Sequence, residues 1–225
     1  MDAIILAGGF GTRLRNIVPD RPKGLAPIRG TPFLDLLLHQ LFNSEIIERV
    51  ILALGDRHEQ IVDYYRTSSL NLEYSIESTP LGTGGAVKQA AKFVNSPHYF
   101  VINGDTFTPL SFKSMFNYHI TENADLTLAY GKTADPARYG GLLINEGRIE
   151  AFHEKTKISP WVSAGIYLLS QEIIFPENLV FSIEKDLFPF LTHKKMMGYF
   201  VQEDFIDIGT EHSYINAQEV LPCMF

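Results

Sequence analysis

The chain has 225 residues, of which 45% are hydrophobic, enough to bury a proper core in one α/β domain. Its net charge of −7 argues against a general nucleic-acid surface, and its single cysteine excludes intrachain disulfides and cysteine zinc clusters. No apolar run reaches membrane-spanning length, and Asp2 stands where a signal peptide needs positive charge. We therefore expect a cytoplasmic protein with neither a membrane nor a nucleic acid as its partner.

Strand and helix patterns alternate through the first half of the chain. Short apolar runs predict buried strands, and apolar spacing of three and four residues predicts helices. In chain order we expect a strand over 3–7, a helix over 33–42, a strand over 49–54, a helix over 58–65, a strand over 72–76, a helix over 84–93, a strand over 99–102 and a helix over 111–120. Thr31 and Pro32 are interpreted as the N-cap and first-turn proline of the first helix, and Ser111 as the cap of the last.

The pattern changes near residue 124, where strands with short links replace the alternation. We expect strands over 126–130, 142–145, 149–153 and 162–169, then helices over 182–191 and 210–220. The prediction is an α/β fold with a Rossmann-like, doubly wound, mostly parallel sheet flanked by helices and a smaller β-rich lobe. We expect one domain over 1–225, with the alternating pattern over about 1–123 and the strand-rich pattern over about 124–225.

A glycine-rich loop follows the first predicted strand and is the most informative stretch of the sequence. Gly8, Gly9 and Gly11 allow backbone amides to approach an anion closely, because they carry no Cβ. Arg13 and Lys23 add positive charge beside this loop. The combination indicates a site for a nucleotide polyphosphate, whereas the glycines alone would be equally compatible with a tight turn.

Two better-known phosphate loops do not fit this sequence. The dinucleotide fingerprint would need glycine or alanine at position 14, where the chain has Leu14. The P-loop would need a glycine at the position of Leu126, ahead of Lys132. A nicotinamide-dependent oxidoreductase is therefore disfavoured.

Asp105 and Asp207 are candidates for a metal site, because each carboxylate follows a short apolar segment. Asp105 comes after the strand over 99–102, and Asp207 precedes Gly209. Carboxylates that meet at the end of a sheet suit Mg²⁺, which would neutralise charge during phosphoryl or nucleotidyl transfer. The alternatives are an Asx-turn for Asp105 and a helix cap for Asp207.

These motifs resemble the signature of the sugar-1-phosphate nucleotidyltransferases, also called nucleotide-sugar pyrophosphorylases. The resemblance covers essentially the whole chain and is greatest to the D-glycero-D-manno-heptose 1-phosphate guanylyltransferases. It is carried by Gly8-Gly9-x-Gly11-Thr12-Arg13-Leu14, Pro22-Lys23, Pro80-Leu81-Gly82-Thr83-Gly84-Gly85, Asn103-Gly104-Asp105-Thr106, Phe152-His153-Glu154-Lys155, Ala164-Gly165-Ile166-Tyr167 and Asp207-Ile208-Gly209.

The resemblance implies a nucleotide-binding part over about 1–123, a sugar-binding part over about 124–225 and a role for each matching position. Arg13, Lys23 and Asp105 would be catalytic, and Asp105 and Asp207 would hold Mg²⁺. The expected nucleotide-binding residues are Leu6, Ala7, Gly8, Gly9, Gly11, Thr12, Arg13, Lys23, Glu77, Gly82 and Thr83. The expected sugar-phosphate residues are Tyr139, Gly140, Glu154, Lys155, Ser163 and Glu184, with Lys155 on the phosphate.

The implied reaction joins an NTP and a sugar 1-phosphate to give an NDP-sugar and pyrophosphate. GTP and D-glycero-D-manno-heptose 1-phosphate are the first choice of substrates, because an acceptor such as Glu77 suits the N–H edge of guanine. Mannose-1-phosphate guanylyl transfer and uridylyl transfer to another sugar remain open, as does a catalytically silent nucleotide-sugar sensor. A homodimer is also left open.

Two positions depart from the family pattern. Ser163 stands where asparagine is usual, and Gly24 replaces the second proline of Pro-Lys-Pro. A serine hydroxyl is shorter and lacks amide donors, so both changes bear on sugar identity and rate more than on the type of reaction. The seven histidines are scattered without metal-site spacing, and His119 is expected on a helix face.

Overall fold

The computed structural model describes residues 1–133, 141–153, 159–191 and 193–221. Its strands are β1 (Asp2–Leu6), β2 (Pro27–Ile28), β3 (Thr31–Pro32), β4 (Arg49–Leu54), β5 (Leu72–Ile76), β6 (His98–Asn103), β7 (Thr106–Phe107), β8 (Leu126–Gly131), β9 (Gly141–Asn145), β10 (Arg148–His153), β11 (Val162–Ser170), β12 (Met196–Phe200) and β13 (Ile206–Asp207). Its α-helices are α1 (Phe33–Phe42), α2 (His58–Tyr65), α3 (Gly82–Ala90), α4 (Phe112–Thr121), α5 (Phe188–Phe190) and α6 (Glu211–Val220). A π-helical turn, Ile183–Leu187, precedes α5, and 3₁₀ turns form at Lys23–Leu25 and Ala91–Phe93.

Nine strands form one continuous sheet in the order β5-β4-β1-β6-β11-β8-β12-β10-β9. The first four strands in this order are parallel, as the alternating strand and helix pattern predicts. Strand β11 is antiparallel to both β6 and β8, so β8 points the same way as β6. The carboxyl ends of β1, β6, β8 and β12 therefore meet at one edge of the sheet.

The sheet is buried on both faces, which explains why β1 has an unbroken apolar sequence. Ala3 and Ile5 pack on one face with residues of α1, α2, α4 and α6. Ile4 packs on the opposite face with residues of α3, the π-helical turn and α5. The α/β sheet flanked by helices is thereby confirmed, and the strands after residue 124 extend the same sheet.

Most predicted elements agree with the structure to within one or two residues, but the start of α1 differs. Thr31 and Pro32 form β3, which pairs with β2, and the helix begins at Phe33 without a side-chain cap. The prediction that Thr31 caps this helix is wrong, because its backbone is committed to the strand pairing. The Ser111 cap is confirmed, since its hydroxyl accepts a hydrogen bond from Ser114 N at 3.2 Å.

Three features were not predicted. Strand β12 lies between β8 and β10, and the two-residue strands β7 and β13 pair with each other outside the main sheet. His119 lies on a helix, as the sequence indicated, but its complete burial near the end of α4 was not predicted. In the part of the chain that the structure describes, no helix combines the length and apolar character that crossing a membrane requires.

Candidate functional site

A cavity of about 510 Å³ lies at the sheet edge where β1 and β6 end. Ligands of open α/β sheets bind outside the carboxyl ends of the strands, so this is the expected location. The cavity is lined by Leu6, Ala7, Gly8, Gly9, Phe10, Gly11, Thr12, Arg13, Lys23, Gly24, Glu77, Pro80, Gly82, Thr83, Ala86, Asn103, Gly104, Asp105 and Gly209. Every residue predicted to bind the nucleotide belongs to this set, although the residues come from four separate stretches of the chain.

The glycine loop is held in place by a close backbone contact with the loop after β4. A Cβ on Gly55 would lie 2.6 Å from the carbonyl oxygen of Gly8, and a Cβ on Gly8 would lie 2.9 Å from Gly55 N. Neither position can accept a side chain without displacing the loop. Gly55 was not singled out from the sequence, because nothing local marks it as the partner of a loop 47 residues away.

Lys23 and Asp105 form an ion pair at the floor of the cavity, with 2.6 Å between Nζ and Oδ2. Asp105 Oδ1 accepts a further hydrogen bond from Thr106 Oγ1 at 3.1 Å. Gly104 allows the chain to turn here, since a Cβ on it would lie 2.5 Å from the carbonyl oxygen of Leu6. The predicted catalytic lysine and the predicted metal ligand are thus direct neighbours.

Asp207 is brought to the same place by the pairing of β13 with β7, in which it lies opposite Thr106. The amide of Ile208 donates to the carbonyl oxygen of Asp105 at 2.9 Å, which locks the two aspartates' backbones together. Asp207 Oδ1 accepts hydrogen bonds from Gly209 N at 2.7 Å and Ser213 Oγ at 3.1 Å. The N-cap of α6 is Thr210 and not Asp207, so capping does not account for this carboxylate.

The donor set here suits a hard divalent cation. The described residues contain no cluster of three or more histidine, cysteine, aspartate or glutamate side chains placed to hold a metal. Asp105 and Asp207 together offer carboxylate oxygens, and Mg²⁺ typically takes one or two carboxylates and completes its shell with water and substrate phosphates. The two aspartates therefore fit such an ion when a nucleotide supplies the remaining oxygens.

Arg13 differs from Arg15 and Arg29 in its surroundings. It is exposed beside the glycine loop and makes no hydrogen bond or ion pair with any residue in the described ranges. Arg15 instead pairs with Asp56 at 2.7 Å, and Arg29 donates to the carbonyl oxygen of Gln218. Of these three, Arg13 is the one whose guanidinium remains available to a ligand.

Glu77 and the loop before α3 form the opposite wall of the cavity. Glu77 Oε2 accepts a hydrogen bond from Leu81 N at 3.0 Å, which fixes the loop between them. Burial raises the pKa of the Glu77 carboxyl, and the hydrogen bond from Leu81 partly offsets that effect. A half-buried carboxylate of this kind can select a ligand edge that donates hydrogen bonds.

The glycines that follow have a packing role that the sequence did not reveal. A Cβ on Gly84 would lie 2.3 Å from the Phe181 ring, and a Cβ on Gly85 would lie 2.3 Å from the carbonyl oxygen of Leu179. Thr83 lines the cavity, but its hydroxyl accepts a hydrogen bond from Ile183 N at 3.0 Å and does not cap α3. This loop therefore joins the nucleotide side of the cavity to the segment that leads into the π-helical turn.

Of the predicted sugar-phosphate residues, the structure describes Ser163 and Glu184. Both contact the hydroxyl of Tyr167, at 3.2 Å from Ser163 Oγ and 2.7 Å from Glu184 Oε1, and neither lines the cavity. Asn103, which does line it, was not assigned a role from the sequence although it stands directly beside Gly104 and Asp105. Tyr139, Gly140, Glu154 and Lys155 lie outside the described residues.

Comparison with known proteins agrees with this geometry. A sequence profile of the family described as "Nucleotidyl transferase" matches residues 2–222. The chain belongs to the nucleotidyl transferase family. As a member of that family it is a nucleotidyltransferase, and enzymes of this family generally use a divalent metal ion.

Individual nucleotidyl transferases resemble the chain to different extents. The D-glycero-alpha-D-manno-heptose 1-phosphate guanylyltransferase of Aneurinibacillus thermoaerophilus is 40% identical over 228 residues, covering 98% of each chain. The crystal structure of HddC from Yersinia pseudotuberculosis complexed with GMP-PN has a TM-score of 0.86 and 34% identity, over 98% of this chain and 99% of that one. The mannose-1-phosphate guanylyltransferase of Mycobacterium tuberculosis is 32% identical over 96% of this chain, which spans 63% of that protein.

Proposed function

We propose that this nucleotidyl transferase is a D-glycero-α-D-manno-heptose 1-phosphate guanylyltransferase. The observation that carries the proposal is the match to a heptose 1-phosphate guanylyltransferase at 40% identity over 98% of both chains. The cavity supports it, because the glycine loop, Arg13, Lys23 and Asp105, with Asp207 paired opposite Thr106, suit a nucleoside triphosphate.

In the proposed reaction a phosphate oxygen of the sugar 1-phosphate attacks the α-phosphorus of GTP. A new phosphorus–oxygen bond forms, the bond from the α-phosphorus to the α,β-bridging oxygen breaks, and pyrophosphate leaves with the bonding electrons. The protein's task is to hold the two phosphates in line and to neutralise the charge that grows between them.

The side chains of the cavity divide this work. Backbone amides of Gly8 to Gly11 and the guanidinium of Arg13 would bind the β- and γ-phosphates, and Lys23 would stabilise charge on the α-phosphate. Asp105 and Asp207 would hold Mg²⁺, which supplies charge neutralisation at the phosphate oxygens. Lys23 already balances the charge of Asp105 at 2.6 Å, so both carboxylate and ammonium are in place before substrate binds.

We assign selection of the base to Glu77, and binding of the sugar 1-phosphate to the second half of the chain. The Glu77 carboxylate would accept hydrogen bonds from N1–H and N2–H₂ of guanine, which adenine and the pyrimidines do not present in the same arrangement. Glu154 and Lys155 would bind the sugar 1-phosphate, with Tyr139, Gly140, Ser163 and Glu184 completing its site. These assignments rest on the motif resemblance described above.

The proposal is tested by measuring pyrophosphate release from purified protein with four NTPs, each combined with heptose 1-phosphate, mannose 1-phosphate, glucose 1-phosphate or galactose 1-phosphate. The expected result is the highest kcat/KM with GTP and D-glycero-α-D-manno-heptose 1-phosphate, with mannose 1-phosphate second. Preference for UTP with any sugar would overturn the guanylyl assignment. Binding of nucleotide without turnover of any pair would favour the silent sensor.

A further inference from the structure

A hydrogen-bond network centred on Tyr167 lies behind the cavity, where the parallel and antiparallel halves of the sheet meet. The Tyr167 side chain is fully buried on β11, and its hydroxyl donates to Glu184 Oε1 at 2.7 Å. The same hydroxyl accepts a hydrogen bond from Ser163 Oγ at 3.2 Å. The Asn103 side chain lies close enough to lower the pKa of this hydroxyl. One phenol thus brings together side chains from three separate elements.

The backbone around this network is specialised. Gly165, between Ser163 and Tyr167, has a φ of +76°, and a Cβ there would lie 3.0 Å from Asn103 Nδ2. The register between β11 and β8 shifts between Ser163 and Tyr167, and Gly165 N donates to Ser163 Oγ at 3.3 Å. An irregularity of this kind re-aims side chains. Here it allows Asn103 to lie against β11.

The network connects to the cavity at two points. Asn103 lines the cavity directly. Glu184 lies in the π-helical turn, whose first residue, Ile183, donates its amide to the hydroxyl of the cavity-lining residue Thr83 at 3.0 Å. Glu184 is half-buried between these two cavity-lining residues.

The Tyr167 hydroxyl stays protonated and therefore always acts as the hydrogen-bond donor toward Glu184. Burial raises its pKa well above the usual value, and the neighbouring Glu184 carboxylate raises it further, while the hydrogen bond from Ser163 and the nearby Asn103 side chain act in the opposite direction. The phenol therefore stays protonated throughout the working pH range. Its proton points to Glu184 Oε1, and within the described ranges of the chain no hydrogen bond reaches Glu184 Oε2.

We propose that Tyr167 is a positioning residue for the sugar 1-phosphate, which acts by orienting the Glu184 carboxylate. Glu184 Oε2 then accepts hydrogen bonds from hydroxyls of the sugar. This inference rests on the proposed function, because it assigns the role within the same reaction.

The test compares Tyr167→Phe, Glu184→Gln and the double variant in the guanylyltransferase assay. With GTP saturating, Tyr167→Phe should raise KM for heptose 1-phosphate about tenfold, because one oriented hydrogen bond to a charged group is lost. KM for GTP should change less than twofold. In the Glu184→Gln background, Tyr167→Phe should add less than a further twofold effect, because the group through which it acts is already altered. Tyr99→Phe, which removes the hydroxyl of another buried tyrosine on the neighbouring strand β6, is the matched control and should behave as the wild type.

Three outcomes would overturn the inference. The first is an unchanged KM for heptose 1-phosphate in Tyr167→Phe, and the second is an equal change in the KM values for heptose 1-phosphate and GTP. The third is a double variant whose KM for heptose 1-phosphate is raised by the product of the two single-variant effects. If calorimetry shows that Tyr167→Phe no longer binds GTP, Ser163→Ala carries the test, since it keeps the phenol and removes one of its partners. Because Ser163 is itself assigned to the sugar site, Ser163→Ala is measured with and without Glu184→Gln. A sugar KM effect that disappears in the Glu184→Gln background supports the proposal, and one that persists unchanged contradicts it. An inactive wild-type protein would refute the proposed function itself. An active wild-type protein whose Tyr167→Phe variant has an unchanged KM for heptose 1-phosphate would refute this inference alone.

Discussion

Lys23 Nζ lies 2.6 Å from Asp105 Oδ2, although 82 residues separate the two side chains in the sequence. The lysine side chain is 16% exposed and the aspartate 42%, so the pair is accessible to ligand and solvent from the Asp105 side. Such a pair contributes little stability by itself. Its significance is that an incoming phosphate finds the ammonium already immobilised.

We expect Lys23→Ala to lower kcat at least about 100-fold, because a positioned charge that stabilises the transition state is lost. The measurement is pyrophosphate release with both substrates saturating. Lys113→Ala removes an exposed lysine of α4 and should leave kcat unchanged. Near-normal turnover in Lys23→Ala would show that the α-phosphate contact is wrongly assigned.

Asp105→Asn and Asp207→Asn should each abolish activity that depends on a divalent cation, because an amide has the carboxylate's shape without its charge. Activity is measured across a Mg²⁺ titration, and thermal melting checks the fold, since Asp207 also accepts two hydrogen bonds. Asp204→Asn changes an exposed aspartate of the same loop and serves as the control. If either variant retains wild-type activity at low Mg²⁺, that carboxylate stabilises the loop and does not bind the metal.

Glu77→Gln should weaken GTP binding about tenfold and reduce the preference for GTP over ATP, because hydrogen bonds to a charged acceptor are replaced by weaker ones. The glutamine carbonyl can still accept from Leu81 N, so the loop should keep its shape. Calorimetry with GTP and ATP measures both effects, and KM for the sugar 1-phosphate should change less than twofold. Glu59→Gln, an exposed change on α2, is the control, and an unaltered GTP to ATP ratio would remove Glu77 from base selection.

His119 should make the protein less stable as the pH falls from about 6.5 to 4. Burial, together with the neighbouring His98, lowers its pKa to about 4, while Asp125 acts in the opposite direction. Between pH 6.5 and 4 this histidine is protonated in the unfolded chain but mostly neutral in the folded protein. Up to about 3 kcal/mol of stability is therefore lost on reaching pH 4.

Urea unfolding at pH 7, 5.5 and 4.5 measures this loss. His119→Gln should be less stable than the wild type at pH 7, because the hydrogen bond to Thr127 Oγ1 at 2.8 Å is disturbed, but should lose less stability on acidification. His212→Gln changes an exposed histidine of α6 and should follow the wild-type profile. Identical pH profiles for His119→Gln and the wild type would contradict the prediction.

The parallel half of the sheet could be predicted from the sequence because its signals are local. An unbroken apolar run such as Ala3 to Leu6 identifies a strand buried on both faces, and the glycines after it indicate a phosphate loop. Every residue that the motif resemblance assigned to the nucleotide lines the cavity, although Asn103, which also lines it, was missed.

What the sequence did not reveal depends on contacts between distant residues. The β7–β13 pairing has two residues on each strand and no periodicity to detect. Gly84 and Gly85 suggested a ligand loop, but the close approach of Phe181 and Leu179 is what forbids a side chain there. His119 sits on a helix of ordinary amphipathic pattern, and only the neighbouring strand β8 shows that its ring is enclosed.

The pairing of Ile206–Asp207 with Thr106–Phe107 also sets an order of events on the ribosome. The glycine loop, Lys23 and Asp105 are synthesised before Asp207 and can assemble with the parallel strands while Asp207 is still to be added. A nascent chain can therefore present the folded glycine loop while it still lacks its second carboxylate. Because domains fold progressively from the N-terminus during synthesis, the proposed metal site would be completed only once Asp207 has been added.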